Sequence, residues 1–311
     1  MTRHLTTDDA GLAEAAALLG AGEIVALPTE TVYGLAADAR NGEAVARVYR
    51  AKGRPAFNPL IVHVADAEAA AELVEMTDDA ERLAAAFWPG ALTMVLPLRD
   101  DAGIAPLVTA GLPTLGVRVP DHPAARALLR KTGPLAAPSA NLSGRISPTS
   151  AEHVLAGLDG KIAAVLDGGP CPVGLESTIV GLLPEPTLLR AGGLPVEALE
   201  RCLGTALQEP GDPGSAPISP GQLSSHYAPA GRVRLAVESP LEGETYLGFG
   251  PHEGDLTLSR SGDLVEAAAA LFGCLHQLDA MGATAIAVAP IPDHGLGRAI
   301  NDRLRRAAAP R

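Results

Sequence analysis

Hydrophobic runs, broken by polar caps and by Gly or Pro, divide this chain into helical and strand-like segments. TTDDAGLAEAAALLGAG reads as a helix, with Thr6 or Thr7 placed to cap it and Gly20 or Gly22 to end it. Asp8 and Asp9 complement its positive end. EIVALP follows as a short buried strand, residues 41–50 read as helix, and NPLIVHVAD reads as a strand. Two Ala-rich helical stretches then run to Ala86 and stop at Phe87-Trp88-Pro89-Gly90. The runs ALTMVLPL, TLGVRVP, PLAAPSA, KIAAVLD and STIVGLL are strand-length, apolar and bounded by Gly or Pro. Helices over residues 122–131 and 150–157 lie between some of them. Several strands in succession among helices predict an α/β domain with a mixed sheet.

The pattern breaks after residue 202, where QEPGDPGSAPISPGQ has no periodicity and the composition of a linker. Beyond it, GRVRLAV and GETYLGF read as strands, 263–281 as a helix, TAIAVAP as a strand and 295–308 as a last helix. The expected organisation is therefore a domain over 1–202, a linker over 203–230 and a small α/β domain over 231–311. Nothing in that last domain looks catalytic.

Composition narrows the partners. With 47% apolar and 19% charged residues, the 311-residue chain can bury large cores. A net charge of −12 and only nine aromatic residues (one Trp, four Tyr, four Phe) argue against a general nucleic-acid binder, so direct tRNA binding is not expected. Cys171, Cys202 and Cys274 are scattered, without disulfide or zinc spacing. No apolar run suits a membrane span or a signal peptide, which leads to the expectation of a cytoplasmic protein with reduced thiols.

Within this acidic background a few cations stand out. Arg47, Arg50, Lys52 and Arg54 fall within eight residues. The first two suit a solvated helix end. Lys52 and Arg54 lie beyond the expected helix, where strand-like alternation would aim both at one anion. Arg118 in LGVRVP is a charge in an apolar strand, so it either meets an acidic partner or binds an anion. Arg190 ends another strand, just after GLESTIV with Ser177 and Thr178.

Polar groups gather around these cations. LPTETVYGLAAD sets Thr29, Thr31 and Tyr33 around Glu30 after a strand, where α/β proteins place ligand-binding groups; a polar turn with a structural Gly34 explains it equally simply. PSANLSGRISPTS groups Ser139, Asn141, Ser143, Ser147 and Thr149 about Gly144, small donors that could wrap a phosphate. Thr149 or Ser150 could also cap the next helix. His63 in LIVHV reads first as a structural residue, and Asn58 as a turn residue. No Walker loop, GxGxxG, Ser-His-Asp order or HExxH occurs, and no metal-binding triad stands out. Cations and hydroxyls without a protein nucleophile suit catalysis by placement, with the substrates supplying nucleophile and electrophile. ATP carrying Mg²⁺ would meet such a site.

In this order, PTETVYGLAAD, KGRPAFNPLIVH, FWPGALT, VRVPDHP, PSANLSGRISPT, ESTIV and LRAGG resemble the YrdC-type family over most of residues 20–195. SPGQLSSHYAP and the second domain are similar to the longer form of the threonylcarbamoyl-AMP synthases. The resemblance implies an open, twisted mixed sheet with a concave, positively charged cavity, followed by a Rossmann-like domain. It implies a nucleotidyltransferase reaction in which L-threonine, bicarbonate and ATP give threonylcarbamoyl-AMP and pyrophosphate. A downstream transferase complex would then modify the adenosine beside the anticodon in tRNA. Carried over, Lys52 and Arg54 are catalytic; Thr31, His63, Arg118 and Thr178 hold threonine. Arg54, Asn58, Thr114, Ser139, Asn141, Thr149 and Arg190 surround ATP, and Tyr227 of HYAP reaches back as part of a lid. Family members often have basic residues where this chain has Leu223-Ser224-Ser225. Two other readings are carbamoyl transfer as in hydrogenase maturation and RNA binding by the concave surface. Missing Cys clusters oppose the first, and the acidic balance opposes the second.

Overall fold

The computed structural model describes residues 1–209 and 226–310. The first unit is built on strands β1 (Arg3–Thr6), β2 (Val25–Leu27), β3 (Gly34–Asp38), β4 (Ile61–His63) and β5 (Leu92–Pro97). Five more complete it: β6 (Thr114–Arg118), β7 (Leu135–Ala136), β8 (Ala164–Asp167), β9 (Thr178–Gly181) and β10 (Thr187–Arg190). Together they form one ten-stranded sheet in the order β1-β8-β2-β3-β7-β4-β6-β5-β9-β10. Pairing is mixed, as the succession of strands predicts: β4 runs parallel to β6, and β5 to β9, whereas β5–β6 and β9–β10 are antiparallel.

Helices α1 (Asp9–Gly20), α2 (Gly42–Lys52), α3 (Ala67–Ala71) and α4 (Asp78–Phe87) come from the first half of this unit. Helices α5 (Pro106–Thr109), α6 (Pro123–Thr132), α7 (Ala151–Leu158) and α8 (Val196–Leu203) come from the second. Strand alternation divides the interior, so that Leu35 joins a cluster with Val48, Val62 and Met94 while Ala36 joins one with Leu12, Leu19 and Leu128.

Local chemistry decides some expectations and corrects others. Asp8, not a threonine, caps α1 by accepting from the Gly11 amide, because Thr6 is already the end of β1. Ser150 caps α7, accepting from the His153 amide. β1, α5 and α8 are elements the apolar pattern did not announce. Most consequential is the end of α2. Lys52 is its last residue, and Gly53 closes it in the left-handed region at φ 60°. Lys52 and Arg54 are therefore separated by a helix cap rather than aligned along a strand.

The second unit carries β11 (Arg232–Arg234), β12 (Thr245–Gly248), β13 (Leu256–Thr257) and β14 (Ala285–Val288), all parallel in the order β11-β14-β12-β13. Helices α9 (Leu264–Ala280) and α10 (Leu296–Ala308) cover it, which matches the expected Rossmann-like layering. Its apolar cluster takes in Val32, Ile146 and Leu175 of the first unit, so the two share a core. At the junction Gly174, at φ +73°, lies so close to α9 that a Cβ would sit 2.5 Å from the Ala268 carbonyl oxygen. Gln208 still bridges to Thr187 at the sheet edge, beyond the expected boundary at 202. Residues 210–225 of the expected linker, Leu223-Ser224-Ser225 among them, lie outside the described residues.

Candidate active site

One cavity collects groups from the ends of several strands. The segment after β2 brings Thr29 and Thr31, and β4 and β6 end in His63 and Arg118, which face each other in parallel register. β10 ends in Arg190. Arg54 enters from beyond α2, and Ser139 from a loop that pairs with Gly34. Glu176, Ser177, His226 and Tyr227 complete the wall.

On one side Arg118 is held by three groups. It donates to Glu30 Oε1 at 2.5 Å, to Thr31 Oγ1 at 2.9 Å and to the Gly90 carbonyl at 3.1 Å. An acidic partner is therefore present, one of the two outcomes expected for this charge. Burial, reinforced by the nearby Arg118 charge, pushes the His63 pKa down to about 3, so its imidazole is neutral.

The other side is richer in cations. Lys52, a predicted site residue, stands behind the wall rather than in it: 3% exposed, it donates to the carbonyls of Ser139 (2.5 Å) and Asn141 (2.6 Å). Arg54 donates to the carbonyls of Asn58 (3.2 Å) and Pro59 (2.9 Å). Arg190 is held by Ser177, through its carbonyl at 2.8 Å and its hydroxyl at 3.2 Å. All of these acceptors are neutral, and among the described residues none of the three cations makes an ion pair. Burial lowers all three pKa values, that of Arg54 to about 10. Buried positive charge of this kind is costly until an anion arrives.

Among the described residues, Glu176 is the one carboxylate on the wall. Its Oε1 accepts from Ser147 Oγ at 2.5 Å and its Oε2 from Arg303 Nε at 2.9 Å. Burial would raise its pKa, but Arg303, Arg190 and the Ser147 hydroxyl bring it below the usual carboxylate value.

His226 and Tyr227 close the cavity from the linker side. Their rings meet edge to face at 4.1 Å, and Tyr227 is fully buried at φ 61°. That backbone conformation costs a non-glycine residue roughly 1–2 kcal/mol, so the ring's packing must hold it. The Ala228 amide donates to the Gly144 carbonyl at 3.0 Å, fastening the segment to the serine-rich loop. Only about 50 Å³ remains inside, whereas sites for nucleotide-sized ligands take roughly 300 Å³ or more. As it stands, the cavity is too small for such a ligand.

Some expected residues stand back from the wall. Thr178 exchanges hydrogen bonds with the Leu194 backbone, donating at 2.6 Å and accepting at 3.1 Å. Asn141 bonds through its amide nitrogen to the carbonyls of Leu142 and Arg145, and Thr149 meets His153. Asn58 keeps a buried oxygen without a partner among the described residues. Thr114 lines a smaller neighbouring cavity, which shares Ile61 with the main one. Glu176, His226 and Arg303 were not singled out from sequence. The first lay in view inside GLESTIV, beside residues that were.

Comparison with known proteins then decides the kinship. Residues 17–192 match the Sua5/YciO/YrdC family, described as "Telomere recombination", and residues 194–309 match "Threonylcarbamoyl-AMP synthase, C-terminal domain". The chain belongs to the Sua5/YciO/YrdC family. Within that family it is 44% identical to a threonylcarbamoyl-AMP synthase of Bacillus subtilis, over 100% of this chain and 96% of the relative. A Schizosaccharomyces pombe threonylcarbamoyl-AMP synthase is 39% identical over 92% and 85%. The crystal structure of Pyrococcus abyssi Sua5 complexed with L-threonine superposes with a TM-score of 0.90 at 38% identity, covering 99% of this chain and 97% of that one. Full-length HypF, in a phosphate- and nucleotide-bound form, shares the fold alone at 24% identity and a TM-score of 0.53, over 60% of this chain and 30% of its own.

Proposed function

We propose that the chain is a nucleotidyltransferase that makes threonylcarbamoyl-AMP from L-threonine, bicarbonate and ATP. The observation that carries this reading is Arg54 and Arg190 on the wall with Lys52 directly behind it, all buried and unpaired by any carboxylate among the described residues. A triphosphate supplies the missing negative charge at several points at once. Opposite, Arg118, Thr31 and neutral His63 form a smaller polar corner suited to an amino acid, with Arg118 meeting its carboxylate.

In this arrangement the threonine amine combines with bicarbonate-derived CO₂ to give a carbamate. A carbamate oxygen attacks the α-phosphorus, the bond to the β-phosphate oxygen breaks, and pyrophosphate leaves. Among the described residues no lining Ser or Thr hydroxyl donates to a histidine or carboxylate, so the wall places the substrates and supplies charge rather than a nucleophile. Mg²⁺ would arrive on the triphosphate, because Glu30 and Glu176 are both engaged by arginine. The product would pass to a transferase complex that modifies tRNA. The His226–Tyr227 segment would act as a lid that must open for ATP to enter.

The test is pyrophosphate release from ATP with threonine and bicarbonate each added or withheld. Release only with both is expected; release indifferent to threonine overturns the proposal.

A further inference from the structure

We propose that Arg303, carried by α10 of the second unit, is a positioning residue for the cavity of the first, fixing both Glu176 and the Tyr227 roof. The inference rests on the cavity being the ATP site proposed above.

Arg303 has no exposed surface, yet it is not part of the cavity wall. Its contacts nonetheless lead there. Nε donates to Glu176 Oε2 at 2.9 Å, and Nη1 donates to the carbonyl of Ala191, the residue after Arg190, at 2.8 Å. Its guanidinium carbon lies 5.3 Å from the centre of the Tyr227 ring. Its own unit contributes one partner through Nη1, Asp302 at 2.9 Å, while Nη2 is buried with no hydrogen-bond partner among the described residues. An arginine serving only its own fold would be satisfied within that fold. Among the described residues, three of its four contacts instead reach wall residues or the neighbour of one.

Each contact has a consequence inside the cavity. Glu176 deprived of Arg303 becomes a buried carboxylate beside Arg190, competing with phosphate for that cation. Tyr227, held at φ 61°, loses the charged group over its ring and keeps the Phe272 and His226 rings beside it. A lysine in place of Arg303 keeps the charge but not the planar fork that reaches Glu176, Ala191 and the ring together. The threonine corner of Thr31, His63 and Arg118 makes no hydrogen bond to Arg303.

The experiment compares Arg303→Gln and Arg303→Lys with the wild type in the full chain. Titration calorimetry measures L-threonine and a non-hydrolysable ATP analogue separately, pyrophosphate release gives turnover, and circular dichroism reports folding. Both variants should stay folded and hold threonine within about threefold, while the ATP analogue weakens by about tenfold or more and turnover falls further. ATP affinity and turnover within threefold of wild type in either variant overturn the proposal. So does an equal loss of threonine and ATP binding, or a failure of both variants to fold, since each marks Arg303 as a fold residue only. Should the wild type itself release no pyrophosphate, the reaction reading fails, and the ATP-analogue arm still decides Arg303.

Discussion

Removing the Arg118 side chain strands the Glu30 carboxylate, whose other oxygen already lacks a partner among the described residues. Breaking one side of such a buried pair costs about 3–5 kcal/mol. Arg118→Met should therefore lower the melting temperature as well as abolish threonine use. Adding Glu30→Gln should restore much of the stability but none of the threonine response. Thermal melts and a threonine titration of pyrophosphate release check this, and a double variant that regains threonine use would contradict it. At this scale the cations Lys52, Arg54, Arg118 and Arg190 were legible, because charge amid apolar or acidic sequence is conspicuous wherever it folds. Glu176 and Arg303 were not, because their meaning is a bond between residues 127 positions apart.

Helices α7 and α9 meet across the two units through His153 and His276, whose rings stack 3.9 Å apart. Burial, then the neighbouring His276, pushes the His153 pKa down to about 4; burial also lowers that of His276, against Asp279. His63 and His226 are likewise held neutral by burial, at about 3. In the unfolded chain these groups titrate near pH 6.5. Between that value and about pH 4 the unfolded state binds more protons than the folded one, so stability falls as pH falls. It should be full above about pH 7 and decline steadily toward pH 4, with a flatter decline in His153→Gln. Urea midpoints across that range measure it, and a midpoint that rises on acidification would refute it.

Close contact between elements makes a second demand. At Gly174 a methyl group would meet the Ala268 carbonyl oxygen and the Ala269 Cα, both at 2.5 Å, in a backbone conformation that already disfavours side chains. Gly174→Ala should cost about 1–3 kcal/mol, seen as a lower midpoint in the same urea titration; an unchanged midpoint would show that the junction yields. Helix and strand periods were visible in sequence, but this approach of a loop to a helix was not, since glycine alone does not say what lies opposite.

Across the whole molecule, the second unit extends the first unit's core. Deleting residues 210–311 removes Arg303, Tyr227 and the apolar cover of Val32, Ile146 and Leu175. The truncated chain should keep its sheet, by circular dichroism, but melt lower and lose at least tenfold in turnover. Full turnover would mean that neither the roof nor Arg303 matters. The two-unit division was readable in the Pro- and Gly-rich break, although Gln208 carries the first unit past residue 202. That the tail, which looked non-catalytic, supplies a buried arginine next to the cavity was not.

Sequence alone determined the mixed α/β character, the two units and the unusual cations, because period, composition and charge are local properties of the chain. Only the tertiary structure decided that Lys52 sits behind a helix cap, that Arg118 already owns a carboxylate, and that Glu176 answers to the last helix. Those are matters of burial and pairing, and desolvation makes an ion's partner decisive only once packing has chosen it.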